Sequence, residues 1–317
     1  MVQWSRTLAL DITKVTWDLY KIMIPIIILV KILEELGGID YIAYALSPLM
    51  QLVGLPDAMG LVWATTLVTN IYGGMIIFIS MAADEPLTIA QVTVLASMML
   101  LAHNLPVEVS IAKKIGVRIA FNLLLRIGGA LLVGLSLHMI YESGNWLQQT
   151  NVLLWTPTLA TDTSLAMWIR LQLQALLQVF IVIALLMLFL KLLKSTGFER
   201  LLILLLSPIL RLLGLGKKTA TITIIGMNLG LTYGGGLLIA EAKKGELSHR
   251  EIFGALSLIA ICHSLIEDTL LVMLLGADIS GALYFRLLFA FIVISLGMRL
   301  IMLLSDRAFY RYFHSKR

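Results

Sequence analysis

Two short runs hold most of the side chains able to do chemistry. His103-Asn104-Leu105-Pro106-Val107-Glu108 and His263-Ser264-Leu265-Ile266-Glu267-Asp268 each set an imidazole and a carboxylate inside a long apolar segment. Ionisable groups in such surroundings are costly and tend to mark function. Three chemistries fit them. They can bind a polar organic solute. They can relay a proton or hold a sodium ion that drives transport. Or His103, Glu108, His263 and Asp268 can ligate a divalent metal, since imidazole and carboxylate suit several first-row ions. An imidazole at i and a carboxylate at i+5 do not share one helical face, so they converge only where the helix unwinds. Pro106 removes a backbone donor in the first run, and both segments read as discontinuous helices. A structural role competes with these readings. Arg126 and Arg286 lie in the last apolar segment of each half and are placed to neutralise Glu108 and Asp268. That pairing would leave the histidines and Glu267 for transport and would weaken carboxylate-driven metal binding.

A second constellation lies in two apolar stretches, 57–80 and 217–240, each interrupted by glycines. The first holds Asn70, Tyr72, Gly73 and Gly74; the second holds Asn228, Thr232, Tyr233, Gly234 and Gly235. Glycine permits positive φ and close backbone approach. A turn at membrane depth exposes amides and carbonyls that can hold a ligand. The competing reading is that these glycines only let helices pack closely.

These elements recur about 160 residues apart. Leu46-Ser47-Pro48 returns as Leu206-Ser207-Pro208, Gly54-Leu55 as Gly214-Leu215, and Tyr72-Gly73-Gly74, one residue out of step, as Tyr233-Gly234-Gly235. His103 matches His263, Glu108 matches Asp268, and Arg126 matches Arg286. Duplicated apolar sequence with polar residues kept at its midpoints is the pattern of a membrane transporter.

Composition agrees. Of 317 residues, 59% are hydrophobic and only 14% charged, with a mean hydropathy of +0.94. A soluble chain carries roughly 25% charged residues, so this chain is expected to span a lipid bilayer. The net charge of +5 fits basic cytoplasmic loops and is not a nucleic-acid signal. The amphipathic start reads as a surface helix rather than a cleaved leader. Spanning candidates are roughly 17–36, 88–106, 117–140, 165–190, 248–270 and 282–304, each near the ~20 residues a span needs.

Loop charge sets their orientation. Segments 34–40 and 81–87 are acidic, whereas their counterparts 191–200 and 241–250 are basic. Segment 113–118 is basic, and its counterpart 276–281 has no Lys or Arg. Opposite signs in matched loops require an odd number of crossings per repeat. The expected fold is therefore an all-α polytopic membrane protein with an inverted-topology repeat. Each repeat has three spans, one re-entrant helical hairpin, and discontinuous helices at the midplane. The first repeat is 1–140, the extracytoplasmic linker 141–164, and the second repeat 165–317. Both termini are expected in the cytoplasm of a prokaryote, with the protein in its inner membrane.

The matched Ser-Pro, Tyr-Gly-Gly and His-containing broken helix, repeated over nearly the whole chain, resemble the nucleoside recognition or Gate domain membrane proteins. That group includes the spore maturation proteins A and B. The architecture is similar to the transport core of concentrative nucleoside transporters and to the Gate regions of ferrous iron transporter B proteins. The resemblance implies transport, with substrate held between hairpin tips and broken helices. The chain departs from the nucleoside transporters in lacking their Gln- and Thr-Glu-containing tip and their Asn-Glu-Phe stretch. It also lacks the GTPase domain of the iron transporters.

The resulting expectation is secondary transport of a small polar solute, with nucleoside-like molecules among the candidates, no resident cofactor, and Na+ or H+ coupling. The alternatives are a divalent-metal permease and a non-transporting scaffold. No nucleophile elbow, phosphate loop or zinc-spacing motif argues for an enzyme. A homo-oligomer is expected by analogy alone.

Overall fold

The computed structural model describes residues 2–81, 85–153, 165–245 and 247–315. Residues 82–84 of the expected acidic loop and 154–164 of the linker lie outside them. The described residues are helical, with two isolated bridges, Thr88 to Thr150 and Val117 to His314.

In chain order the first half runs α1 (Val2–Glu35), α2 (Gly38–Leu52), α3 (Met59–Val68), α4 (Ile71–Met81), α5 (Ile89–Leu101), α6 (Leu105–Ile115), α7 (Ile119–Leu123) and α8 (Gly129–Ser143). The second half runs α9 (Leu165–Ser195), α10 (Phe198–Leu212), α11 (Lys217–Leu229), α12 (Leu231–Lys244), α13 (His249–Ile261), α14 (Glu267–Met273), α15 (Arg286–Leu303) and α16 (Asp306–Tyr312). A π-helical turn, Leu124–Gly128, joins α7 to α8, and another, Ser280–Phe285, precedes α15.

Among the described residues, four helical stretches are long and apolar enough to cross a membrane: Ile89–Ile115, Ile119–Ser143, Leu165–Leu193 and Ser280–Leu303. The protein is thus a multi-pass membrane protein. The expected span 17–36 falls in α1, and 248–270 is divided between α13 and α14.

Local sequence explains the starts and stops. Thr88 and Ser248 each close a capping box, with Gln91 and Glu251 as the reciprocal partners. Gly116, at φ 103°, ends α6 where a side chain would be strained. α5 and α13 are buried on nearly every side: Leu95, Met98, Leu100, Leu256, Leu258 and Ile259 are all essentially inaccessible. A helix apolar all round belongs at the centre of a bundle. By contrast, only 12% of the apolar window of α9 is buried, so its Leu173, Leu177 and Leu185 face lipid.

The loops sort into two ends. At one end, Asn151 donates to the Leu275 carbonyl, Ile89 donates to Gln149, and Gln91 donates to the Gly54 carbonyl. At the other, Ser315 donates to Gly116, His249 bonds the Tyr310 hydroxyl, and Gly216 donates to Glu251. Helices α11 and α12 start and finish at this second end, where Lys218 pairs with Glu241 at 2.5 Å.

The breaks between α3 and α4 and between α11 and α12 do not fall on the expected glycines. They fall earlier, at Thr69–Asn70 and at Gly230 (φ 93°, ψ 163°). Asn70 caps the start of α4 by accepting from the Gly73 amide at 2.9 Å. Gly73, Gly74, Gly234 and Gly235 are helical and serve packing. A Cβ on Gly74 would lie 1.9 Å from Thr66 Oγ1, and one on Gly234 would lie 2.4 Å from the Gly226 Cα.

Candidate functional site

Helices α5 and α13 each stop at the histidine run, and the chain turns left-handed at Asn104 (φ 49°) and Ser264 (φ 48°). One residue in this conformation re-aims the chain by what helical periodicity forbids, so His and carboxylate meet despite their i, i+5 spacing. Pro106 lies in the first turn of α6, where its missing donor costs nothing. Each break is tied to a neighbour: Asn104 donates to the Thr66 carbonyl at 3.1 Å, and Leu265 to the Met227 carbonyl at 3.0 Å.

The two histidines face each other. His103 Nε2 and His263 Nε2 are 2.9 Å apart, with both rings buried. His103 Nδ1 lies 2.9 Å from the Met99 carbonyl, and His263 Nδ1 lies 3.0 Å from that of Ile259. Glu108 Oε1 sits 3.2 Å from His263 Nε2 and 3.4 Å from His103 Nε2. Asp268 Oδ2 is 3.8 Å from His103 Nε2. The ligand atoms of His103, His263 and Asp268 all lie within 4.8 Å of one another.

The two arginines behave differently. Both are fully buried; Arg126 lies within the first π-helical turn and Arg286 directly follows the second. Arg126 Nη1 contacts Glu108 Oε2, forming the expected ion pair, and its Nε donates to the Leu101 carbonyl at 3.0 Å. Arg286 donates to the carbonyls of His263 and Ile261, the latter at 3.4 Å, and acts on Asp268 through its charge rather than by a direct contact. The guanidinium thus satisfies backbone acceptors exposed by the break, a need that residue spacing did not reveal.

A cavity of about 230 Å³ opens beside these groups. Asn70, Tyr72, His103, Asn104, Glu108, His263, Ser264 and Asp268 line it, together with Ile71, Leu229, Gly230 and Leu231. The Tyr72 hydroxyl also bonds the Glu267 carboxyl, which does not line the cavity. Asn228, Gly73, Gly74, Gly234 and Gly235 do not line it. The side chains of Thr232 and Tyr233 fall outside the described residues. Gly230 was missed from sequence, although its lone position before Leu231-Thr232-Tyr233 signals a break once positive φ is considered.

The described features define an all-helical membrane protein whose broken helices meet at a polar cavity. Residues 16–121 match the model of the Gate family, described as nucleoside recognition. The match takes in Asn70, Tyr72, His103 and Glu108. The chain is also a distant homologue of a protein described as the uncharacterized membrane protein YvoD of Bacillus subtilis (strain 168), at 28% identity over 274 residues covering 86% of each chain. No solved structure matches the chain.

Proposed function

We propose that this protein is a secondary transporter that moves a small polar solute across a prokaryotic inner membrane by alternating access, coupled to H+ or Na+. One observation carries the reading. Four ionisable side chains, two from each half of the chain, converge beside a cavity at the breaks of otherwise apolar helices. Buried polar groups are expensive in such a setting unless function retains them, and a site where broken helices meet is the usual place for a transported solute.

The proposed architecture is an inverted repeat of three spans and one re-entrant hairpin each, with six spans in all. It is supported by features that recur at matching positions: the capping boxes at Thr88 and Ser248, the left-handed Asn104 and Ser264, and the buried Arg126 and Arg286. It is also supported by the gathering of Gln91 and Glu251, equivalent helix starts, at opposite ends of the bundle. The hairpins would be α3–α4 and α11–α12, and both termini would be cytoplasmic.

The Gate family's description, nucleoside recognition, makes nucleosides the first solutes to test. Purified full-length protein is screened by thermal shift against nucleosides, nucleobases and amino acids across pH and sodium concentration. A ligand at 100 times its Kd stabilises the fold by about 2.7 kcal/mol. Solutes that shift the melting temperature are then followed as flux into proteoliposomes under H+ or Na+ gradients. The expected result is a solute whose shift and flux both disappear in Asp268→Asn. Folded protein giving neither shift nor flux for any of them removes the reading.

A further inference from the structure

We propose that His103, His263, Glu108 and Asp268 form a site for a divalent transition-metal ion that ties the two halves of the chain together across the cavity. The argument begins with the protons. A carbonyl oxygen only accepts, so the contacts from His103 to Met99 and from His263 to Ile259 place a proton on each Nδ1. Neutral rings so arranged present bare Nε2 lone pairs to one another at 2.9 Å. Two lone pairs at that distance repel unless something positive lies between them. A shared proton satisfies two atoms. Here two carboxylates also approach the nitrogens: Glu108 Oε1 is 3.2 and 3.4 Å from the two, and Asp268 Oδ2 is 3.8 Å from one of them. Two imidazole nitrogens with carboxylate oxygens beside them are the donor set of a metal, and the ligand atoms of His103, His263 and Asp268 lie within 4.8 Å of one another.

The dimensions agree with that. Tetrahedral bonds of about 2.0–2.1 Å put neighbouring donors roughly 3.3 Å apart. The two Glu108 distances already match. The histidine nitrogens need to open by about 0.4 Å, and Asp268 needs to close by about 0.5 Å on His103 and by up to about 1.5 Å on His263, to reach that spacing. Without metal, the 2.9 Å separation is that of an N–H···N hydrogen bond, so a proton holds the site and the ion displaces it. The surroundings are those of a built site. Each imidazole is oriented through its other nitrogen, and Arg126 grips Glu108 Oε2, leaving Oε1 turned to the histidines. Two imidazoles with two carboxylates suit Zn2+, Co2+ or Fe2+ and discriminate against Mg2+ and Ca2+.

The inference rests on reading this cavity as the transport site and adds the ion whose binding draws the halves together. Full-length protein in detergent is titrated with Co2+ alone, followed by visible absorption and then by displacement with Zn2+. Expected are one ion per chain, proton release, and affinity that falls as pH is lowered. His263→Asn and Glu108→Gln should each weaken binding at least about tenfold, Arg126→Gln about 10- to 100-fold, and His138→Ala not at all. Where the variants do not fold, the wild-type spectrum decides: intense bands of a four-coordinate ion support the site, and a weak octahedral spectrum overturns it. Folded wild-type protein that takes up no stoichiometric Co2+, or a His103→Asn/His263→Asn pair that binds unchanged, also overturns it. Flux separates the two readings. Solute flux in chelator-treated vesicles, with no Co2+ bound, removes the metal and leaves the transporter. Co2+ binding without flux of any solute supports the metal and removes the transporter.

Discussion

Glycine 234 shows how much one hydrogen decides in this bundle. A Cβ there would stand 2.4 Å from the Gly226 backbone, so α11 and α12 would have to separate, whereas a Cβ on Gly236, two residues on, meets nothing within 4 Å. Gly234→Ala is therefore expected to destabilise the protein by about 1–3 kcal/mol through overpacking. Gly236→Ala should be neutral or slightly stabilising, by up to roughly 1 kcal/mol, because it restrains the unfolded chain at an open helical site. Melting temperatures of the two variants in detergent check this, and equal losses would refute the packing role. Residue types alone marked the polar cluster: the histidines, Glu108 and Arg126 were legible because such groups are rare in apolar sequence. Their partners were less so. Arg286 was expected on Asp268; its charge acts there, but its hydrogen bonds go to carbonyls freed by the break. Spacing along a chain carries no record of which backbone acceptors a break will orphan.

Breaks are where reading by element was least secure. The apolar stretches were recognised as interrupted, at 70–74 and 232–236; the first break falls at the start of its run, at Thr69–Asn70, and the second two residues before its run, at Gly230. Glycine fits both a turn and a close helix contact, and only the neighbouring helix distinguishes them. The C-terminal helix α16 was not among the elements read from the sequence. Its Phe309 and the following His314 pack into an aromatic cluster. His314 stacks on His249 with ring centroids 4.8 Å apart, beside Tyr310 and under the backbone of Gly116. Burial, and then the nearby His249, hold the His314 imidazole below its ordinary pKa of 6.5. The unfolded chain therefore takes up this proton more readily than the folded one. The contribution of His314 is full above about pH 6.5 and declines as pH falls through that value toward the folded pKa. His314→Phe keeps the stacking and removes the titration. Its melting temperature should lose less than the wild type's between pH 7.5 and about 5.5. Parallel curves would show that His314 does not contribute to the acid sensitivity.

At the scale of the whole molecule, the arrangement turns on which end each loop occupies. Loop charge assigned 81–87 to the outside and 241–250 to the inside, because short cytoplasmic loops concentrate Lys and Arg. The bundle gathers the start of α5 with Gly54 and residues 149–151 at one end, and the start of α13 with Gly216 and Tyr310 at the other. A fourth full crossing in each half, in place of a hairpin, would carry Lys244 outside against its charge, so the two topologies predict opposite labelling. Cys262 is the one native cysteine and is buried, which makes Cys262→Ala a usable background. On it, Glu85→Cys should react with a membrane-impermeant maleimide in intact cells. Lys244→Cys should react only after the membrane is opened. Labelling of both from the same side would refute the inverted arrangement, and with it the alternating exposure of one central site by two oppositely oriented halves. Labelling from opposite sides would place the His103 and His263 breaks on the approximate two-fold axis between those halves, the position from which one set of side chains can face either side of the membrane in turn.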